Sequence, residues 1–375
     1  MAQDSAVSAN ITIGVFAPLY LDSAFHQDKY MFGKNFPRFT LQGFDFVYGV
    51  KMASDSFPIN NSVIKTYVYD TKSDSIPLNE LIASGKLNHL QLLIGSVKDE
   101  SFLALTEFAK TRKVPFLSVT YPNDGNTTGN PYLSILSSTL RTHCESIFSY
   151  LLQNQSTANI LLVRPTGSQE DRVANYFQAI NQSEGKKLLS YQTMKLDSNH
   201  ILIKTKLDST RKNVIIAGSL DEEFASSLTN TLSSLRKKYD IQLIGMPNWE
   251  SFAFIGKNFR ANMKEFPVYY TSSYYNPRTD STSRWLENNY YNSFKGKASD
   301  YVFKGFESFF IFSRLLQLYG ADLSKNITDQ SFSLFSDYNL SPVRNSSKGA
   351  VPDYYENKHV FFLKKLNGVT VKDWE

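Results

Sequence analysis

Residues 11–19 of the chain read Ile-Thr-Ile-Gly-Val-Phe-Ala-Pro-Leu, an apolar run of strand length. Apolar residues at helical spacing follow over residues 39–57, and the β-branched run 62–69 comes next. An apolar strand, an amphipathic helix and a second strand in this order predict a βαβ unit, in which the two strands are parallel. The opening run is therefore predicted to be the first strand of an α/β sheet.

The same alternation continues along most of the chain. Further strands are predicted at 90–94, 114–119, 132–136, 158–163, 187–191, 214–217 and 241–244, and further helices at 99–112, 139–153, 169–181, 221–238 and 301–319. Runs such as Leu90–Ile94 and Val214–Ala217 are apolar throughout, as in sheets that helices cover on both faces. Residues 360–364 and 369–371 are predicted to pair as a hairpin around Asn367-Gly368.

A chain of 375 residues exceeds the roughly 250–300 residues that one hydrophobic core usually serves. The alternation also falls into two blocks, the second of which begins near residue 158. We therefore predict an α/β protein of two Rossmann-like lobes, each with a mostly parallel sheet flanked by helices.

Composition excludes several classes of protein. Apolar residues make up 42% of the chain and charged residues 20%, which is typical of globular proteins. The net charge of +5 is spread along the chain, so no nucleic-acid partner is predicted. No stretch reaches the roughly 18 consecutive apolar residues of a membrane span, and residues 1–10 lack a hydrophobic signal core. The protein is predicted to be either cytosolic or exported by a signal segment that this sequence does not contain.

The sequence lacks the common catalytic motifs. No phosphate loop, dinucleotide-binding glycine motif, nucleophile elbow or zinc-protease helix is present. Cys144 is the only cysteine, and its neighbour His143 would point about 100° away from it on a helix. We therefore predict that the protein is not an enzyme and that it holds no cofactor and no metal. An enzyme stays open as an alternative that requires converging carboxylates or histidines.

Ligands of open α/β sheets bind where the carboxyl ends of the strands meet the helix starts. Four such loops carry polar side chains: 95–99, 118–121, 218–221 and 245–249. Several tyrosines and one tryptophan also fall near predicted strand ends or helix starts, and such side chains suit a crevice. The predicted ligand-binding residues are Tyr20, Ser96, Lys98, Asp99, Ser118, Thr120, Tyr121, Ser219, Asn248, Trp249, Tyr274 and Tyr301. For the hydroxyls, and above all for Asp99 and Asp221, an ordinary helix cap is the alternative.

Four stretches carry a resemblance to a known family: Ile11–Leu19, Leu93–Ser96, Val114–Ser118 and Gly305–Ser308. In this order they resemble the type I periplasmic binding proteins, and in particular the branch similar to the leucine/isoleucine/valine-binding receptors of ABC transporters. The resemblance implies two lobes joined by a three-strand hinge, which close around a ligand in the crevice between them. It places residues 11–138 with 273–342 in one lobe and 139–272 with 355–375 in the other.

The resemblance also implies roles for individual residues. Ser118 and Thr120 match the positions that hold the ligand carboxylate in amino-acid receptors. Lys98-Asp99-Glu100 stands where the family usually offers serines for the same carboxylate, and no acidic residue near Pro247-Asn248 matches the usual ammonium-binding position. The predicted ligand is therefore small and polar, and it is amino-acid-like or related.

The function that this resemblance implies is an extracytoplasmic solute-binding protein for ABC-type uptake or sensing, located in the periplasm or cell envelope. Its expected partners are the ligand and an ABC transporter permease or another envelope protein. The alternative is an envelope interaction module whose crevice no longer binds a ligand and is filled by the long loop 20–37. For that loop, a lid over the crevice and a solvated insertion both stay open.

Overall fold

The computed structural model describes residues 11–56, 64–183, 185–196, 199–255, 265–344 and 351–374. The chain divides into two compact units: residues up to Ser138 with Tyr275–His359 form the first, and Thr139–Tyr274 with Val360 onward form the second. The chain therefore passes from one unit to the other three times.

The strands in chain order are β1 Ile11–Ala17, β2 Phe25–His26, β3 Lys29–Tyr30, β4 Ile64–Asp70, β5 Leu92–Gly95, β6 Phe116–Ser118, β7 Leu133–Ile135, β8 Asn159–Arg164, β9 Gln192–Lys195, β10 Asn213–Ala217, β11 Ile241–Ile244, β12 Val268–Ser272, β13 Leu340–Val343, β14 Tyr354–Asn357, β15 Phe361–Leu366 and β16 Val369–Trp374. The α-helices are α1 Leu21–Ala24, α2 Leu41–Ser56, α3 Leu78–Ala83, α4 Asp99–Arg112, α5 Leu140–Asn154, α6 Ser168–Asn181, α7 Glu222–Leu235, α8 Ser281–Phe294 and α9 Asp300–Tyr319. Short 3-10 helices lie at Arg38–Thr40, His200–Lys206, Pro247–Ser251, Ala253–Ile255 and Gly320–Lys325.

Within the described residues, each unit contains a seven-stranded sheet. The strand order is β13-β14-β7-β6-β5-β1-β4 in the first and β16-β15-β12-β11-β10-β8-β9 in the second. Within these two sheets, neighbouring strands are parallel except for the pairs β13–β14, β12–β15 and β15–β16, and β2 and β3 form a separate antiparallel pair. These two mostly parallel sheets, flanked by helices, confirm the predicted fold class.

Aromatic and aliphatic side chains hold α4 on the first sheet. Phe102 and Leu105 of α4 belong to one buried cluster with Phe16, Leu93 and Phe116 of the sheet. All five side chains are fully buried. This packing fixes the start of α4 beside the carboxyl ends of β5 and β6.

The helices α2 and α9 of the first unit cross at two glycines. A Cβ on Gly49 would lie 1.9 Å from the carbonyl oxygen of Val302, and a Cβ on Gly305 would lie 2.2 Å from that of Phe46. No side chain fits at these distances, so the two backbones touch directly, as small residues allow.

The chain end forms the predicted hairpin in the second unit. Leu366 pairs with Val369 across a two-residue turn in which Asn367 and Gly368 have φ values of 52° and 77°. Both values are positive, as this tight turn requires. The predicted Asn-Gly turn is confirmed.

The strand predicted at 187–191 is wrong, because β9 begins at Gln192. The side chain of Asn181 explains the difference. Its Oδ1 accepts the N–H groups of Leu188 and Leu189, and its Nδ2 donates to the carbonyl of Leu189. These backbone groups are therefore bonded to α6 and cannot pair with a strand.

The boundary between the units near residue 355 differs from the predicted ranges. Tyr355 and Glu356 of β14 pair with Ser134 and Ile135 of β7, so β14 belongs to the first sheet. The second unit resumes at Val360. The predicted crossing at residues 342–354 includes residues 345–350, which lie outside the described residues. The helices α3 and α8 have no counterpart in the sequence prediction.

The glycine crossing gives a first test. Replacing a helical glycine with alanine usually stabilises a helix by about 1 kcal/mol, but Gly305→Ala would force a Cβ into the backbone of α2. We expect this variant to lower the free energy of unfolding by about 3 kcal/mol, measured by urea denaturation. Gly296→Ala is the control, because its Cβ would meet nothing closer than 3.8 Å. Equal stability of the two variants would contradict the crossing.

Glu307 of α9 is a fully buried carboxylate. It accepts the N–H groups of Phe335 at 2.7 Å and Ser336 at 2.5 Å, and the hydroxyl of Tyr338 at 3.2 Å. Burial raises the pKa of Glu307 to about 7, and these hydrogen bonds oppose the rise. The carboxylate thus joins α9 to the backbone of the segment that precedes β13.

The raised pKa of Glu307 predicts a pH dependence. Because the folded chain binds this proton more tightly than the unfolded chain, protonated Glu307 contributes to the free energy of unfolding. This contribution is complete below pH 4.5 and is lost as the pH rises to about 7. The loss amounts to roughly 3 kcal/mol in the free energy of unfolding. Urea denaturation from pH 4.5 to 8 should show this decline in the wild type and in the exposed-site control Glu80→Gln. It should be absent in Glu307→Gln, and an unchanged decline in that variant would refute the assignment.

Candidate functional site

Two hydroxyls meet at the carboxyl edge of the first sheet. Ser96 directly follows β5, and Thr120 lies two residues after the end of β6. The Oγ of Ser96 and the Oγ1 of Thr120 are 3.0 Å apart. Ser96 is buried and Thr120 is half-buried, so the pair can be reached from the Thr120 side. Both residues were predicted from the sequence to bind the ligand, and this role stays a prediction. The parallel neighbours β5 and β6 bring their hydroxyls together.

Ser118 is placed differently from these two hydroxyls. It is the last residue of β6, lies opposite Gly95 of β5 and has no exposed surface. Its Oγ has no hydrogen-bond partner among the described residues. The hydroxyl therefore belongs to the interior of the unit, and a ligand could reach it only after a rearrangement.

The start of α4 is acidic. Asp99 and Glu100 are exposed in its first turn, and the residue before them, Lys98, is exposed and makes no side-chain cap. The hydroxyl of Tyr121 donates to Oδ1 of Asp99 at 3.3 Å. Burial, and then the charge of Asp99, raise the pKa of Tyr121. Both carboxylates suit the helix dipole, and both would repel an anionic ligand group.

Asp70, at the end of β4, fixes the loop that leaves β1. Its carboxylate accepts the backbone N–H groups of Leu19 at 2.9 Å, Tyr20 at 3.2 Å and Leu21 at 2.8 Å. Tyr20 has a left-handed backbone with φ of 54°, and its ring meets the edge of Phe39 at 5.3 Å. The sequence prediction missed Asp70, although a polar residue at the end of a strand was the available signal.

Tyr301 is the second residue of α9 and is half-buried. Burial, and then the neighbouring charge of Asp300, raise its pKa. Among the described residues, Tyr301 makes no hydrogen bond to another predicted site residue of the first unit.

In the second unit, the predicted site residues bond with one another. The indole Nε1 of Trp249 donates to the carbonyl of Ser219 at 3.0 Å, and the Nδ2 of Asn248 donates to the carbonyl of Leu220 at 2.7 Å. Trp249 and Ser219 are fully buried, and Asn248 is half-buried. A Cβ on Gly245 would lie 2.2 Å from the indole, so the ring packs on that backbone. These side chains support the loops after β10 and β11.

Tyr274 is also buried in the second unit. Its carbonyl accepts the hydroxyl of Ser272 at 2.8 Å, and the same hydroxyl lies 3.0 Å from Oε2 of Glu250. Glu250 is exposed and is an acidic residue near Asn248 that the sequence prediction did not single out.

An acidic cavity of about 570 Å³ lies beside Ser219 in the second unit. Its lining consists of Pro165, Thr166, Glu170, Asp221, Glu223, Phe224 and Ser227. Glu170 accepts the hydroxyl of Ser219 at 2.9 Å, and Asp221 caps α7 by accepting the N–H of Phe224 at 2.7 Å. Three carboxylates in one cavity favour a ligand with a positive charge or several hydrogen-bond donors.

The adjacent His143 and Cys144 do not form a nucleophile and base. The Nδ1 of His143 lies 2.9 Å from the hydroxyl of Thr271, and burial strongly raises the pKa of the Cys144 thiol. The part of the chain that the structure describes contains no group of three or more His, Cys, Asp and Glu residues that could hold a metal ion. In that same part, none of the helices combines the length and the apolar character needed to cross a bilayer.

Comparison with solved structures identifies the fold. No family model and no curated protein matches the sequence. A putative branched-chain amino acid ABC transporter protein from Rhodospirillum rubrum is similar, with a TM-score of 0.68 and 11% identity over 97% of this chain and 100% of that one. An ABC transporter substrate-binding protein from Desulfitobacterium hafniense is similar over the same shares, with a TM-score of 0.63 and 12% identity.

Full-length LpoA from Haemophilus influenzae is a further structural neighbour. Its TM-score is 0.61 at 15% identity, and the match covers 98% of this chain but 59% of LpoA. At such identities the matches show the fold alone. They confirm the predicted resemblance: the chain has the type I periplasmic-binding-protein fold.

Proposed function

Because the chain has the fold of ABC-transporter substrate-binding proteins, we propose that it is an extracytoplasmic solute-binding protein and not an enzyme. The observation that carries this proposal is the pair of hydroxyls, Ser96 and Thr120, at the carboxyl edge of the first sheet. Ligands of open α/β sheets bind at this edge. We place the ligand there, between Thr120 and the side chains of Lys98, Asp99 and Tyr121.

The surrounding charges indicate the chemistry of the ligand. Asp99 and Glu100 begin α4 three and four residues after Ser96 in the first unit, and a separate cavity in the second unit is lined by Glu170, Asp221 and Glu223. A small polar molecule that carries an ammonium group, or several N–H and O–H donors, would satisfy the carboxylates of Asp99 and Glu100. A ligand recognised chiefly by its own carboxylate would be repelled by them. We therefore expect amino-acid-like amides and amines to bind more tightly than dicarboxylates.

The role we propose is uptake or sensing in the periplasm or cell envelope, with an ABC transporter permease or another envelope protein as the partner. Two of the structural neighbours are named as ABC transporter proteins. The ligand-binding roles of Tyr274, Ser219, Asn248 and Trp249 of the second unit stay predictions.

One observation favours a second candidate, an envelope interaction module without a ligand. Ser219 and Trp249 are fully buried and bond to each other within the second unit, so they support the fold of the loops. If the corresponding groups of the first unit also serve only as structure, no small molecule would bind. A solute-binding protein would therefore bind a small molecule, and an interaction module would not.

A thermal-shift screen followed by calorimetry separates them. We expect at least one compound among amino acids, amides, amines, nucleosides, small peptides and sugars to raise the melting temperature. Thr120→Val should then weaken the binding of that compound about tenfold, which is the loss of one hydrogen bond. Thr111→Val is the matched control, because this threonine is exposed on α4 and its hydroxyl donates to Glu107 of the same helix. A screen without any stabilising compound, or equal affinity of both variants, would refute the ligand site and favour the interaction module.

A further inference from the structure

The loop between β1 and α2, which we call the aromatic loop (residues 21–40), exposes an unusual amount of apolar surface. Six of its large apolar side chains are each 37–56% exposed: Leu21, Phe25, Met31, Phe32, Phe36 and Phe39. Single exposed apolar residues are common, but six within twenty residues are not. Concentrated apolar surface of this kind marks an interaction site.

The aromatic loop is a built structure. The strands β2 and β3 pair as a small hairpin whose turn residues, Gln27 and Asp28, have φ values of 46° and 61°. The ring of Tyr30 contacts Phe25 at 5.4 Å and Phe32 at 6.0 Å between centroids. At its start the loop is tied to Asp70 through the backbone of residues 19–21. The apolar side chains are therefore held at the surface by the fold.

The apolar surface continues onto the end of α8. Phe36 of the loop contacts Phe44 of α2 at 4.9 Å, and Phe44 contacts Phe294 at 5.2 Å. Phe294 is 43% exposed, and Tyr291 one turn earlier is 57% exposed. Two separate segments of the first unit thus contribute to one aromatic surface.

Exposed basic side chains lie in both of these segments. Lys29, Lys34 and Arg38 of the loop are exposed, and exposed Lys295 and Lys297 follow Phe294 directly. The loop contains two carboxylates, those of Asp22 and Asp28. Both are exposed, and the carboxylate of Asp22 is bonded to the neighbouring loop, where it accepts the hydroxyl of Ser73 at 2.9 Å and the N–H groups of Asp74 at 2.7 Å and Ser75 at 2.8 Å.

We propose that the aromatic loop and the end of α8 form a membrane-binding surface selective for anionic phospholipids. The apolar side chains would enter the boundary between headgroups and acyl chains, and the lysines and arginine would contact lipid phosphates. The combination carries the inference: the aromatic residues supply the insertion energy, and the interleaved cations supply the preference for negative charge. This surface does not depend on the proposed ligand, so it can be tested by itself.

The test is co-sedimentation of the full chain with vesicles. The protein should bind vesicles of equimolar phosphatidylcholine and phosphatidylglycerol, bind pure phosphatidylcholine vesicles much more weakly, and be released by added salt. The triple variant Phe25→Ser, Phe32→Ser, Phe36→Ser should lose at least tenfold in affinity for the anionic vesicles. Lys29→Glu with Lys34→Glu should also lose affinity and should remove the preference for anionic lipid.

A matched control uses equally exposed apolar residues elsewhere in the first unit. The variant Leu103→Ser, Leu318→Ser, Val351→Ser replaces side chains that are 50%, 58% and 50% exposed, and it should bind vesicles as the wild type does. Thermal melting of each variant establishes that it is folded. The proposal is overturned if the wild type ignores both kinds of vesicle, or if the two triple variants bind equally. It is also overturned if the triple variant Phe25→Ser, Phe32→Ser, Phe36→Ser binds vesicles as the wild type does and changes only the binding of a solute.

Discussion

The direct contact between the backbones of α2 and α9 is the constraint on which the first unit depends. Gly49 and Gly305 leave no room for a side chain at the crossing, so the two helices have one relative position. The first turn of α2 is fixed similarly, since a Cβ on Gly43 would lie 2.3 Å from the carbonyl oxygen of Pro18. The end of β1 and the start of α2 are therefore held together. The segment between them, which includes the aromatic loop, therefore begins and ends at nearly the same place on the first unit.

Buried polar groups complete this arrangement. Asp45 of α2 accepts the hydroxyls of Tyr290 at 2.6 Å and Ser299 at 2.5 Å, which joins α2 to the end of α8 and the start of α9. Glu307, two residues after Gly305, bonds to the segment before β13. Because an unpaired buried carboxylate is costly, each of these groups also specifies which segments meet.

Much of the architecture could be predicted from the sequence because parallel sheets require apolar strands and amphipathic helices. The predicted helix 99–112 agrees with α4, and the Asn367-Gly368 turn is where the sequence placed it. The strand at 187–191 could not be excluded from its pattern, because a single side chain, Asn181, removes its backbone groups from pairing. The short helix α3 carries too few residues to show a period.

The candidate site was only partly predictable for a physical reason. Strand ends identify the loops, which is how Ser96 and Thr120 were found, but periodicity does not tell which polar side chain faces outward. Ser118 and Ser219 are therefore indistinguishable from Thr120 in the sequence, although both are fully buried in the structure. Their ligand-binding roles stay predictions. Acidic residues at helix starts, such as Glu170, are ambiguous in the same way, because the helix dipole alone would select them.

The central claim is that a small polar ligand binds at the carboxyl edge of the first sheet. The most direct measurement is a crystal structure of the protein with the compound that stabilises it most. We predict electron density for that compound with a polar atom within hydrogen-bond distance of the Oγ1 of Thr120. Density for the compound only at another surface, with the hydroxyls of Ser96 and Thr120 bonded solely to each other, would contradict the claim.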